Sequence, residues 1–180
     1  MVLRINYMKR FFTGLLKFLV VSVLTAAVFS VAGCGGGGGG DSSLSPEELE
    51  VAAVLDAFSA AVNEENHDQA MTYIFSNLKY YGGPTTAPSG ITQFDNRLQN
   101  FFVQASGIRC EFTSPGITLT SDTTASVRAL LVVDYLLAGG IPQVLTENVE
   151  LVFEKDKRWG IVEFAQYGQA GTTVTAFPPQ

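Results

Sequence analysis

Glycines at 35–40 form an unbroken run of six, which no packed element can cross. Glycine has no side chain to bury and loses more backbone freedom on ordering than any other residue. The run therefore separates a leader from whatever folds after it. With Asp41, Ser42 and Ser43 it reads as a tether with a root-mean-square reach of roughly 18 Å. A glycine-rich loop can instead cradle phosphate, but that loop follows a strand and ends in Lys-Ser or Lys-Thr. Neither feature is present.

The leader, residues 1–33, has no acidic residue; the first is Asp41. Arg4, Lys9, Arg10 and Lys17 precede an apolar run at 18–32. Fifteen residues fall short of the ~20 needed to span a bilayer. A basic start, an apolar middle and small residues at the end match a secretory signal peptide. Met1 and Met8 would both serve as its start. The run closes on Val31-Ala32-Gly33-Cys34, which resembles the lipobox of bacterial lipoproteins; the bland alternative is an ordinary secretory signal that happens to end at a cysteine.

The resemblance implies cleavage before Cys34, a diacylglyceryl thioether on its sulfur and a fatty acyl group such as palmitate on its new amino terminus. A single acyl chain anchors marginally, whereas two or more hold stably. Gly35, rather than Asp, after the cysteine implies sorting to the outer membrane, facing the periplasm. The expected partner at this end is membrane lipid, through Cys34, and the expected location is the cell envelope.

Loss of the leader leaves seven basic residues against 17 acids, a formal charge of −10. Such a body is repelled by anionic lipid, so the acyl chains and not electrostatics would hold it at a membrane. The same acidity excludes a basic nucleic-acid surface. Two cysteines exclude a disulfide framework and a four-cysteine zinc site, and one histidine excludes a multi-histidine metal centre. No metal or cofactor is expected.

Folding begins near Leu44. Ser45-Pro46-Glu47-Glu48 reads as a capping box with proline at the first helical position, and Leu44 and Leu49 could staple it. Val51, Val54, Leu55, Phe58 and Val62 recur at helical spacing. A second helix from Asn66 would bury Met71, Ile74, Phe75 and Leu78, followed by a short strand at 77–81. A loop at 82–90 leads to a third helix carrying Ile91, Phe94, Leu98, Phe101, Phe102 and Ala105 and stopping at Gly107. Four strands follow, at 108–120, 125–137, 144–154 and 159–167, with a bend or bulge at Pro115-Gly116. Leu145, Val149, Leu151 and Phe153 share one face of the third of these. Residues 168–180 form a small, polar tail.

This order, three helices interleaved with one short strand and then four antiparallel strands, predicts an α+β fold with the helices packed on a curved antiparallel sheet. Over 44–167 it resembles the nuclear-transport-factor-2-like superfamily, the SnoaL-like or cystatin-like cone. The resemblance is carried by Ala-Ala-Val-Asn-Glu-Glu-Asn-His-Asp at 60–68, Thr-Ala-Ser-Val at 124–127 and Lys157-Arg158-Trp159-Gly160-Ile161-Val162. It implies isomerase, dehydratase or cyclase chemistry in the cone's cavity, or a non-catalytic module. Isomerase-like members place a general-base aspartate just after the first strand; Tyr81-Gly82-Gly83-Pro84 has no carboxylate there. The tyrosine they carry on the first helix falls near Phe58 or Ser59.

Other candidates each have a structural alternative. Asp134 lies in an apolar strand and could be a buried acid–base group, or an exposed one paired with Arg128 or Arg109. Tyr80, Tyr81 and Tyr135 could line a cavity or belong to the core. His67, at a helix start, reads as solvent-exposed rather than as a base. Cys110 has no paired base and reads as a small apolar residue. The sequence favours a non-catalytic envelope lipoprotein whose cone binds a small apolar ligand or a protein. The alternative is a cavity enzyme of isomerase or dehydratase type that uses Asp134. The strand at 125–137 is apolar on both faces, and Val152, Val162 and Phe164 would extend its second stripe. Either a homodimer through this outer face or the tail, through Val174 and Phe177, would cover it.

Overall fold

The computed structural model describes residues 44–82, 87–167 and 176–179. The expected signal, Cys34, the tether and Val174 lie outside them.

Helix α1, Pro46–Asn63, begins as its sequence dictates. The Ser45 side chain accepts from the Glu48 N–H at 3.2 Å, and Glu48 Oε2 accepts from the Ser45 N–H at 2.7 Å. Leu44 and Leu49 remain exposed, so no staple forms. Val51, Leu55, Phe58, Ala61 and Val62 make the buried stripe. Asn66 caps α2, His67–Thr72, by accepting from the Gln69 N–H at 3.1 Å.

Helix α2 is shorter than its apolar spacing predicts. Ile74 and Leu78 are buried from strand β1, Ile74–Tyr81, and not from a helix. The Ile161 N–H donates to Tyr73 O at 2.9 Å, drawing the chain into a sheet where Tyr73-Ile74-Phe75 would otherwise continue the turn. Helix α3, Ile91–Gln104, buries Phe94, Leu98 and Phe101. Strands β2, Ala105–Ser121, β3, Thr124–Leu137, β4, Ile141–Lys155, and β5, Trp159–Gln166, complete the regular structure of the described residues. The bulge predicted at Pro115-Gly116 is present as a register shift between Thr113 and Gly116.

The sheet order is β1-β5-β4-β3-β2, with β1 parallel to β5 and every other pair antiparallel. The α+β expectation, three helices on a curved and mostly antiparallel sheet, holds. The helices pack on one face, against Ala125, Val127, Leu131 and Val133 of β3 and Leu145, Val149, Leu151 and Phe153 of β4.

One assignment to the outer stripe is overturned. The β4–β5 register slips between Val152 and Phe153, so Glu163 faces Val152 while Ile161 faces Phe153. Val162 is the extra residue, and the strand's alternation inverts after it. Phe164 therefore turns inward, where it is fully buried.

The two poles of the domain differ. At one, Glu50 of α1 meets the β4–β5 hairpin: its Oε2 accepts from Lys155 Nζ at 2.7 Å and from Trp159 Nε1 at 2.9 Å. At the other, the β3–β4 turn carries Gly139 and Gly140 at positive φ, 87° and 76°, a conformation open to glycine without strain.

Candidate functional site

The interior of the cone is a box of aromatic rings. Tyr80 of β1 meets Phe94 of α3 edge-on, with centroids 5.3 Å apart, and Phe164 of β5 lies 5.7 Å from Phe94. Tyr135, on the inner face of β3, meets Phe101 of α3 edge-on at 5.1 Å. The space between these two clusters is taken by the chain's own Phe177, stacked on Phe164 at 6.0 Å and edge-on to Phe101 at 6.1 Å. The tail thus folds back, but into the cone and not across the outer sheet face, among the described residues.

Polar groups surround this ring. The Phe177 N–H donates to Oε1 of Gln166, a fully buried residue, at 2.7 Å. Arg97 of α3 reaches in from the rim, its Nη1 donating to the Tyr80 hydroxyl at 3.1 Å and to Pro178 O at 3.3 Å. Its guanidinium stands over the Tyr80 ring, 5.8 Å from the centroid. Burial raises the Tyr80 phenol above its ordinary value, and the charge and hydrogen bond of Arg97 oppose that rise. Burial also raises Tyr135. Both phenols are therefore neutral donors at neutral pH.

The sequence candidates separate. Tyr80 and Tyr135 are in the interior. Asp134 is on the outer face, level with Arg109 on β2 and Val144 on β4, on the other side of the sheet from those tyrosines. Cys110 is buried, and burial pushes its thiol up to about 12, far from the thiolate a nucleophile needs. His67 is half-buried rather than solvent-exposed: its Nε2 is 2.6 Å from Asp95 Oδ1 and its Nδ1 is 3.3 Å from Asp68 Oδ1. It ties α2 to α3. Among the described residues no group of three or more acidic, histidine or cysteine side chains could hold a metal ion.

Of the interior residues, Glu147 is not among the sequence candidates, and Phe177 is expected on the outer face instead. Glu147 is 2% exposed and sits with Leu145 and Val149 on the inner face of β4. The alternation 145, 147, 149, 151, 153 marks its position; an acid in that stripe was the signal. Phe177 had no local signal, since its contacts are made with residues distant in sequence.

The outer face carries a groove of about 350 Å³, lined by Thr113, Arg128, Leu130, Asn148, Glu150 and Tyr167 among others. Glu150 gathers its polar groups, accepting from Arg128 Nη2, Ser126 Oγ and the Tyr167 hydroxyl at 3.3–3.4 Å. Burial, followed by the Glu150 charge, raises the Tyr167 phenol.

No protein-family model matches the chain, and no curated protein matches it. Solved structures do share its fold. A proposed aromatic ring hydroxylase from Novosphingobium aromaticivorans superposes with a TM-score of 0.63 at 17% identity, over 74% of this chain and 96% of that one. A proposed scytalone dehydratase from the same organism gives 0.64 at 13%, over 74% and 92%. A nuclear transport factor 2-like protein from Salmonella enterica serovar Typhimurium gives 0.61 at 16%, over 71% and 94%. The domain has the nuclear-transport-factor-2-like cone fold. At these identities the likeness is one of fold, and fold alone does not fix chemistry.

Proposed function

We propose that the protein is an envelope lipoprotein, held by an acylated Cys34 to the outer membrane on its periplasmic side, whose cone is a non-catalytic binding module. The observation that carries the binding reading is Phe177. The space inside the cone between Phe101 and Phe164 is filled by a ring of the chain itself, and the two prolines after it are buried as well. Asp134, the carboxylate that the enzymatic reading relied on, is on the opposite face of the sheet. The anchor is supported by the leader that ends at Cys34. Among the described residues no helix is long and apolar enough to cross a membrane.

Expression of the full chain with a palmitate analogue tests the anchor. The wild type is expected in the membrane fraction, labelled, and Cys34→Ala in the soluble fraction, unlabelled. Equal labelling of the two would remove Cys34 as the attachment site.

A second reading has one observation in its favour. Glu147 is a buried carboxylate on the inner face of β4, and two of the fold's neighbours are named as a hydroxylase and a dehydratase. Turnover of any substrate that is lost in Glu147→Gln, with the fold intact, would favour it.

A further inference from the structure

We propose that the interior of the cone is a receptor for an extended protein segment of the pattern small–aromatic–Pro–Pro, and that residues 176–179 occupy it as a displaceable plug. The inference rests on the binding-module reading and names its class of partner.

The contacts made by residues 176–179 are those of a recognised segment. A Cβ placed on Gly82 would come within 3.3 Å of the Ala176 Cβ, so the segment before the aromatic residue lies close against Gly82, where the chain has no side chain. Phe177 fills the gap between Phe101 and Phe164 and is fully buried. Pro178 and Pro179 are buried as well. Proline has no N–H, so the buried stretch from 177 to 179 presents a single backbone donor. Gln166 accepts that donor. Any other residue at 178 or 179 would bring a second N–H into the interior, at the cost of an unmatched donor. The Pro178 carbonyl is met by Arg97. Recognition thus uses one ring, one donor and one acceptor, all of which a segment of another protein could supply.

The chain's own segment leaves the site incompletely matched. Arg97 Nη1 is shared between Tyr80 and Pro178, and the buried Arg97 Nε has no hydrogen-bond partner among the described residues. On the inner face beyond Tyr135, Leu137 and Ile141 pair across β3 and β4 yet stay exposed, 37% and 56%. A longer segment with an acceptor for Arg97 Nε and an apolar side chain for this rim would gain contacts that residues 176–179 do not make.

The test uses the full chain in detergent with a protease recognition sequence in place of residues 170–172, so that the tail can be cut and washed away. The probe is a fluorescent synthetic peptide, Thr-Ala-Phe-Pro-Pro-Gln, read by anisotropy. The cut protein is expected to bind it at least about tenfold more tightly than the uncut protein. Peptides carrying Phe177→Ala or Pro178→Ala, and cut protein carrying Arg97→Gln, are each expected to lose about tenfold. Equal binding by cut and uncut protein, or no binding to folded cut protein at about 1 mM, overturns the proposal. If cutting unfolds the domain, refolding on addition of the peptide supports it and failure to refold overturns it. In the uncut chain, Phe177→Ala should raise affinity for the wild-type peptide, and an unchanged affinity overturns the proposal. Saturable binding of 2-naphthoate by cut protein that ignores the peptide also overturns it, while leaving the binding-module reading in place.

Discussion

Asn63 holds both backbone polar groups of Cys110. Its Oδ1 accepts from the Cys110 N–H, and its Nδ2 donates to the Cys110 carbonyl at 3.3 Å. Strand β2 is at the edge of the sheet, with β3 on one side only. The side-chain amide at the end of α1 stands where a neighbouring strand's peptide would be, and Glu65 Oε1 accepts from the Gly107 N–H of the same strand at 3.0 Å. It also fixes the helix to the sheet. Asn63→Ala should lower unfolding free energy by about 1–3 kcal/mol in urea titrations. Asn63→Asp keeps the acceptor and loses the donor, so it should fall between the two. A wild-type midpoint for Asn63→Ala would show that water replaces the amide at no cost.

Gly160 lies directly under the ring of Phe75. A Cβ at 160 would overlap the ring carbons, and the Arg158 guanidinium covers the ring from 5.7 Å. The strand β5 backbone cannot retreat, because it is hydrogen-bonded to β4 and β1 on its two sides. Gly160→Ala should therefore cost about 1–3 kcal/mol as an overpacking change. Phe75→Leu should recover part of that loss in the double mutant, more than the single changes would add up to. Strict additivity in the cycle would mean that the ring is not what excludes the methyl group.

Local pairs of this kind are what make a fold legible in its sequence. Ser45 and Glu48 sit three residues apart and cap a helix by themselves, so the start of α1 was legible. Alternation through β3 and β4 was legible for the same reason. Met71, Ile74, Phe75 and Leu78 satisfy helical spacing, while Ile74, Leu78 and Tyr80 also satisfy a period of two. Only the parallel pairing with β5, made over a long sequence separation, decides for the strand. Unbroken alternation predicts the outer face for Phe164, and one extra residue, Val162, inverts it. Of the site, Tyr80 and Tyr135 were named from sequence. Phe177 was assigned to cover the other side of the sheet, since nothing local distinguishes an apolar tail that plugs from one that lies flat.

The Glu50 clip gives the domain a pH dependence of defined sign. Hydrogen bonds from Lys155, the larger influence, and from Trp159 hold the Glu50 carboxyl below its ordinary value of 4.5. A carboxyl whose value is depressed by folding stabilises the fold above the unfolded value and loses that contribution as pH falls through the folded one. Glu50→Gln should therefore unfold earlier in urea than wild type at pH 6–7, with the gap closing below about pH 4.5. Trp159 fluorescence follows the same transition, because its indole N–H donates to this carboxylate. A gap that persists unchanged to pH 3 would assign the effect to packing and not to charge.

The outer sheet face is expected to pair with a second copy of itself. Leu130 and Val132 of β3 and Val152 of β4 are half-buried there, and Val144 is 67% exposed. The described part of the tail, which is inside the cone, leaves this face uncovered. Sedimentation equilibrium on the chain from Asp41 onward should give a dimer, and Val132→Glu should give a monomer with an unchanged circular dichroism spectrum. A wild type that is monomeric at about 100 µM would rule out this dimer.

The inward course of the C-terminal residues has a practical side. Pro179 is buried. A reporter or affinity handle inserted directly after Pro179 would adjoin an enclosed proline two residues from the buried Phe177. The wide β3–β4 turn at Gly139 and Gly140, exposed and free of side-chain contacts, is the better place for an inserted label.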